Sequence, residues 1–157
     1  MGSNVPGFKI PVSVLVVIHT ADLQVLLIER ARNPGYWQSV TGSLDAIDEP
    51  PRAAAIRELM EETGIDALAP GHVLRDWQHA STYEIYPTWR HRYAPGVTTN
   101  VEHVFSVQVP VVRAVTLAPD EHTAQLWLPC EAAAAKVFSP SNREAILRLP
   151  EWRGVRS

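Results

Sequence analysis

The chain of 157 residues carries 14 basic and 17 acidic side chains, a formal net charge of -3. That length fits one domain over residues 1–157 with a single ample core, and the charge argues against a nucleic-acid or membrane-surface binder, both of which work through a positive field. One cysteine, Cys130, excludes an internal disulfide, and the longest apolar run, Val12 to Ile18, is too short to span a bilayer; together they point to a cytoplasmic protein.

Residues 1–8 read as a flexible end: Met1-Gly2-Ser3-Asn4 would suit acylation, but Pro6 stands where that motif wants Ser or Thr. Pro11 to Ile18, rich in β-branched residues, predicts a buried strand; a turn at Ala21-Asp22 and a second strand, Val25 to Glu29, make a hairpin of it. Tyr36 to Val40 predicts a short strand delivering the chain to Gly42. Asp48 as N-cap, with Glu49, Pro50 and Pro51 in the first turn, opens a helix that runs through the good formers Ala53 to Met60 and stops at Gly64. Beyond it, Val73 to Trp77, Ser81 to Trp89, Val101 to Val109 and Ala124 to Leu128 predict strands. Between them lie the basic run Arg90-His91-Arg92-Tyr93, an interrupted apolar stretch from Pro110 to Pro119, and the acidic turn Asp120-Glu121-His122. Helices at Glu131 to Val137 and at Asn142 to Leu149, the second capped by Ser139 or Ser141, complete an α/β domain whose mixed sheet is sandwiched by helices.

The chemistry concentrates in the central helix. Glu58, Glu61 and Glu62 stand at i, i+3 and i+4, so their carboxylates share one face with Cβ atoms about 5–6 Å apart and repel one another. Ala55, Ile56, Leu59 and Met60 supply a buried side, which sets the acids at the edge of the core. A solvated acidic face tied down by Arg57 or Arg52 is one reading. A hard divalent cation bound through oxygen, in the manner of Mg2+ with a few carboxylates and substrate phosphates, is the other. The histidines lack metal-binding spacing, so zinc is not expected, and His91 and His122 are isolated acid/base candidates.

The stretch from Gly42 to Ile65 resembles the Nudix box: Gly, five residues, Glu, seven residues, Arg-Glu, an aliphatic, any residue, Glu-Glu, any residue, Gly and an aliphatic. Gly42, Glu49, Arg57, Glu58, Leu59, Glu61, Glu62, Gly64 and Ile65 match by type, with six residues instead of five between Gly42 and Glu49. Either Asp48 takes the first acidic position or the loop holds a one-residue insertion. The resemblance implies the Nudix α/β/α arrangement and hydrolysis of a phosphoanhydride, with Mg2+, or Mn2+ as its substitute, bound by Glu58 and Glu62. Glu61 is then a third ligand or the base for the attacking water, and Arg57 orients the glutamates.

Outside the box, Pro11 to Ile18, Trp37 to Ser43, Arg90 to Thr98 and Ser141-Asn142-Arg143 are similar to one branch of that family, the bacterial dihydroneopterin triphosphate diphosphatases. This likeness implies that Lys9, Arg30, Thr41, Tyr83, Glu84, Ile85, Tyr86 and Ser139 contact substrate and that Glu121 is a metal ligand from outside the helix. It implies a small-molecule triphosphate as substrate, release of pyrophosphate, and a monomer or homodimer with no nucleic-acid or membrane partner. Lys9 and Arg30 suit a triphosphate as a point charge and a fork, Tyr83 and Tyr86 a stacked ring, and Glu84 the ring's N–H groups. A Nudix enzyme acting on a nucleotide such as dATP or an oxidised dGTP, and an idle Nudix module that only binds a ligand, are the rival readings.

Overall fold

The computed structural model describes residues 7–152, so the expected flexible end falls for the most part outside the described residues. The sheet is built on β1 (Val12–His19), whose run VSVLVVIH is buried almost throughout. A strand apolar on both faces needs cover on both. Val14, Val16 and Ile18 pack in one core with α1 (Pro51–Thr63) residues Ala54, Ala55 and Leu59. Leu15 and Val17 pack in a second core with Ala133 and Ala134 of α2 (Cys130–Lys136) and Ala145 and Ile146 of α3 (Pro140–Leu147). A helical turn, α4 (Leu149–Trp152), extends that layer and stacks Trp152 on Trp77 at 4.8 Å.

Among the described residues the sheet has seven strands in the order β3-β2-β1-β6-β5, with β4 also on β1 and β7 also on β2. The expected hairpin of β1 and β2 (Gln24–Arg30) pairs only at Ile18 with Leu26 and His19 with Val25. The two strands then part, and β4 (Val40–Ser43) takes the vacated edge of β1, setting Thr41 opposite Leu15 and Gly42 opposite Val14. On its other edge β1 runs parallel to β6 (Thr99–Gln108), and β6 pairs antiparallel with β5 (Val73–Glu84). Strand β7 (His122–Pro129) lies along β2.

Several expectations are corrected. The strand expected from Tyr36 to Val40 is two, β3 (Trp37–Gln38) and β4, because the Ser39 N–H leaves the ladder to donate to Asn142 Oδ1 at 2.8 Å while Asn142 Nδ2 donates to Ser39 Oγ at 2.9 Å. The strands expected at Val73 to Trp77 and Ser81 to Trp89 are one, bent at a bulge where Gln78 takes φ 51°. That strand stops at Glu84, and Pro87–Arg92 is a 3-10 helix that carries most of the basic run. The helix α1 starts at Pro51 with Pro50 as N-cap and no side-chain cap, so Asp48 does not cap it; Gly64 ends it at φ 73° as expected. Of its expected apolar side, Leu59 and Ala55 are buried but Met60 is 47 % exposed. Ser139, and not Ser141, caps α3, which begins two residues earlier than expected.

Candidate active site

The close approach of α1 to β4 decides the acidic end of the site. A Cβ at Gly42 would land on the Glu58 carboxyl group, so glycine is needed there for Glu58 to lie against the strand. One turn on, Glu62 is 1 % exposed, its carboxyl hydrogen-bonded to that of Glu58 and accepting the Thr41 backbone N–H. Burial first, then the bond and the repulsion from Glu58, raise the Glu62 pKa well above the ordinary carboxyl value. Glu58 is raised too, mainly by burial, against the pull of Arg57. Glu61 is not with them: its side chain is 55 % exposed and pairs with Arg57 at 3.4 Å.

Arg57 is the hub of the box. Its guanidinium donates to Glu49 Oε2 and Oε1 at 3.0 and 3.1 Å, to Glu58 Oε2 at 3.0 Å and to the Ser43 carbonyl at 3.2 Å. Asp45 adds an ion pair at 3.0 Å. These bonds fix the doubtful spacing before the helix. Glu49, whose pKa Arg57 lowers, is the first acidic position of the box; Asp48 is exposed, and the extra residue is an insertion absorbed by the loop.

Fit to a cation can be judged from the orphaned atoms. Glu62 Oε1 is buried without a hydrogen-bond partner. Donor atoms of Glu62, Glu121 and His122 all lie within 4.8 Å of one another, and His122 Nε2 stands 3.7 Å from Glu62 Oε1. The Glu121 carbonyl accepts from Ala31 N–H at 2.8 Å, and His122 is paired with Arg30 at the irregularity of β2, which bring this turn to the helix. Burial and then Arg30 push the His122 pKa down to about 4, so the imidazole is neutral near pH 7. Three carboxylates, one with an unspent lone pair, fit a divalent metal better than any arrangement of protons alone.

From this acidic end opens a cavity of about 870 Å³. Lys9, Arg30, Thr41, Tyr83, Glu84, Ile85, Tyr86 and Ser139 all line it, as do Glu58, Glu62 and Glu121; Arg57 and Glu61 lie outside it. Lys9 is held by backbone bonding to Arg92 and sits 5.8 Å over the Tyr93 ring. Burial, then the nearby Arg92 and Arg30, lower its pKa to about 8. Arg30 donates to Asn33 Oδ1 and Gln38 Oε1 and lies 4.8 Å over Trp89. Trp89, under Arg30, belongs to an aromatic wall in which Tyr86 stacks on it at 5.2 Å and Phe138 meets it edge-on at 5.9 Å. Glu84 reaches the cavity from its rim, its side chain 82 % exposed and 4.0 Å from Arg90.

Arg92 of the basic run also lines the cavity, as do residues that the sequence reading did not single out: Trp89, Phe138, Asn100 and Glu102. Glu102 had a visible signal. It alternates with Asn100 and Val104 on the inward side of β6, a parity that an acid does not take without cause. Trp89 had none, since its place depends on β5 ending early.

The NUDIX domain family model matches residues 9–149. The chain is 46 % identical over 140 residues to the dihydroneopterin triphosphate diphosphatase of Escherichia coli (strain K12), an alignment covering 88 % of this chain and 91 % of that protein. Against the protein of the same name from Haemophilus influenzae the identity is 39 % over 135 residues, 85 % of this chain and 84 % of the other. The solved structure of the E. coli dihydroneopterin triphosphate pyrophosphohydrolase superposes with a TM-score of 0.84 at 45 % identity, over 90 % of this chain and 95 % of that one. The acidic face of α1, set against a strand glycine, and the match over nearly its whole length agree: this chain belongs to the Nudix family of hydrolases.

Proposed function

We propose that the protein is a Mg2+-dependent pyrophosphohydrolase that converts dihydroneopterin triphosphate to dihydroneopterin monophosphate and pyrophosphate. The observation that carries this reading is one cavity lined together by the carboxylates of Glu58, Glu62 and Glu121, the cations of Lys9, Arg30 and Arg92 and the rings of Tyr86 and Trp89. Its size is in the range of ligand sites that enclose a molecule of this kind. The relatives' shared name supports the choice of substrate.

Glu58, Glu62 and Glu121 would hold the metal, which when bound neutralises phosphate charge and lowers the pKa of a water. Arg57 positions Glu58 without touching substrate. Lys9, Arg30 and Arg92 grip the triphosphate; Tyr83, Tyr86, Trp89 and Phe138 take the ring, and Thr41 and Ser139 border the chain between them. Glu61, tied outward to Arg57, is reserved for a proton-accepting role at the site's edge.

A panel of pterin and nucleoside triphosphates with Mg2+, read for pyrophosphate against orthophosphate, tests the reading. Pyrophosphate from dihydroneopterin triphosphate at the highest kcat/KM is expected; higher kcat/KM for dATP or an oxidised dGTP would replace the substrate, and no turnover of any triphosphate would leave a binding module. The Glu62→Gln variant is expected to lose at least about 100-fold in kcat with its circular dichroism unchanged, since a buried carboxylate at the metal end is not replaced by an amide.

A further inference from the structure

Dihydroneopterin has a 2-amino-4-oxopyrimidine ring, whose amino and adjacent ring N–H groups form a pair of neighbouring donors. Such an edge is best met by a buried carboxylate with a lone pair to spare. Glu84, although it lines the cavity, is held at the solvent rim beside Arg90, where water competes for every hydrogen bond.

Glu102 differs in each respect. It is 4 % exposed, yet it lines the cavity. Its Oε1 accepts from Ser141 Oγ at 2.8 Å, so the group is anchored from α3 while its two oxygens offer further acceptor capacity. Beside it Asn100 donates to Ser13 Oγ at 2.8 Å and to the Tyr83 hydroxyl at 3.1 Å, and its Oδ1 is buried without a partner. The surrounding polar groups therefore leave the buried Asn100 Oδ1 unspent, two residues along β6 from the Glu102 carboxyl group. Buried acceptors without donors are costly unless a ligand supplies them.

Ser43 of β4, Ser13 of β1 and Glu102 of β6 lie in one row across the sheet. Glu102 shares the parity of Val104, on the α3 side of the sheet, whereas Glu58 rests on Gly42, on the α1 side, and the one cavity is lined by both carboxyl groups. Ser141, which holds Glu102, is two residues from Ser139 and bonds to it at 3.0 Å, so the same helix start serves both parts of the ligand.

We infer that Glu102, anchored by Ser141 and flanked by Asn100, is the specificity residue of the cavity: it reads the paired amino and N–H donors of a 2-amino-4-oxopyrimidine ring and rejects rings, such as adenine, that lack them. This rests on the assignment of the cavity to a pterin triphosphate, but it concerns the ring edge and not the phosphate chemistry. The same edge is present in guanine, which separates the two ideas in the test.

The Glu102→Gln variant keeps the size of the side chain and an acceptor for Ser141, but turns one acceptor into a donor. Expected is a fall in kcat/KM of roughly 10- to 100-fold for dihydroneopterin triphosphate and for dGTP, the range of a hydrogen bond to a charged group. Most of the fall belongs in KM, and kcat/KM for dATP stays within about twofold or rises. An equal fall for dATP, or no change with any 2-amino-4-oxo ring, overturns the inference. Should the wild-type protein prefer dGTP to the pterin, the assignment of substrate fails, while a selective loss on dGTP in the variant still upholds the role of Glu102. Unfolding midpoints within a few degrees of each other for the two proteins show that the loss is not one of folding.

Discussion

Lys9 shows how a single residue can serve the site at the expense of the fold. Its ammonium is drawn into the cavity wall, where burial comes first and Arg92 and Arg30 add repulsion, so its pKa falls from 10.5 to about 8. A base whose folded-state pKa is lowered binds its proton less well in the folded chain. Holding the charge therefore costs stability below about pH 8, and the cost disappears as pH rises from there towards 10.5, where the unfolded chain also loses its proton. Replacing Lys9 with Met is expected to stabilise the protein at pH 7, by up to about 3 kcal/mol from the shift alone, and the advantage should shrink towards pH 10. Urea unfolding of both proteins at pH 7, 8.5 and 10 measures it; an advantage independent of pH would mean that packing, and not charge, decides the difference. The same substitution should weaken triphosphate binding, because a phosphate chain supplies the negative charge for which the position is built.

At the scale of elements, the site depends on the contact between α3 and the break between β3 and β4. Asn142 both accepts from the Ser39 N–H and donates to the Ser39 hydroxyl, and all of these groups are buried. Asn142→Ala would leave the Ser39 N–H without a partner, at a cost of about 1–3 kcal/mol. Since β4 carries Thr41 and Gly42, the loss should appear in kcat/KM as well as in the unfolding midpoint. Asn142→Asp is expected to recover part of the stability, because its oxygen can still accept from the N–H; equal losses in both variants would show that the Ser39 contact is not what Asn142 supplies.

At the scale of the whole molecule, the crowding of Glu58, Glu62 and Glu121 awaits compensation. A divalent cation that binds the folded chain alone stabilises it by about 2.7 kcal/mol at a concentration one hundred times its Kd. Adding Mg2+ to chelator-treated protein is therefore expected to raise the unfolding midpoint by several degrees, and Glu62→Gln to abolish most of that rise; a midpoint indifferent to the metal would remove the carboxylates from a metal role. Much of this arrangement was legible in the chain. The i, i+3, i+4 spacing announced an acidic face, and the β-branched run from Val12 announced the central strand. What spacing could not resolve was which acid turns inward: Glu58 and Glu62 are buried against β4 while Glu61, on the nominal same face, follows Arg57 to solvent. Nor could local pattern join residues that only the fold brings together, such as Glu102 with Ser13 across paired strands, or Trp89 of the 3-10 helix with Arg30. The expected hairpin of β1 and β2 forms at its turn end only, and beyond it the longer-range pairing of β1 with β4, which adjacency in sequence does not reveal, takes over.

The loop between Gly42 and Glu49 carries one residue more than the family pattern, and the geometry tells where the tolerance lies. The clamp from Arg57 to Glu49 belongs to the helix side and is rigid, whereas Ile47 and Asp48 project into solvent and can be added to without moving either end. Counting backwards from the helix therefore finds the acid that matters, and counting forwards from the glycine lands one residue short. A pattern search that treats both intervals as equally strict would pass over chains such as this one; one that holds the Arg57-to-Glu49 interval fixed and lets the loop breathe would retain them.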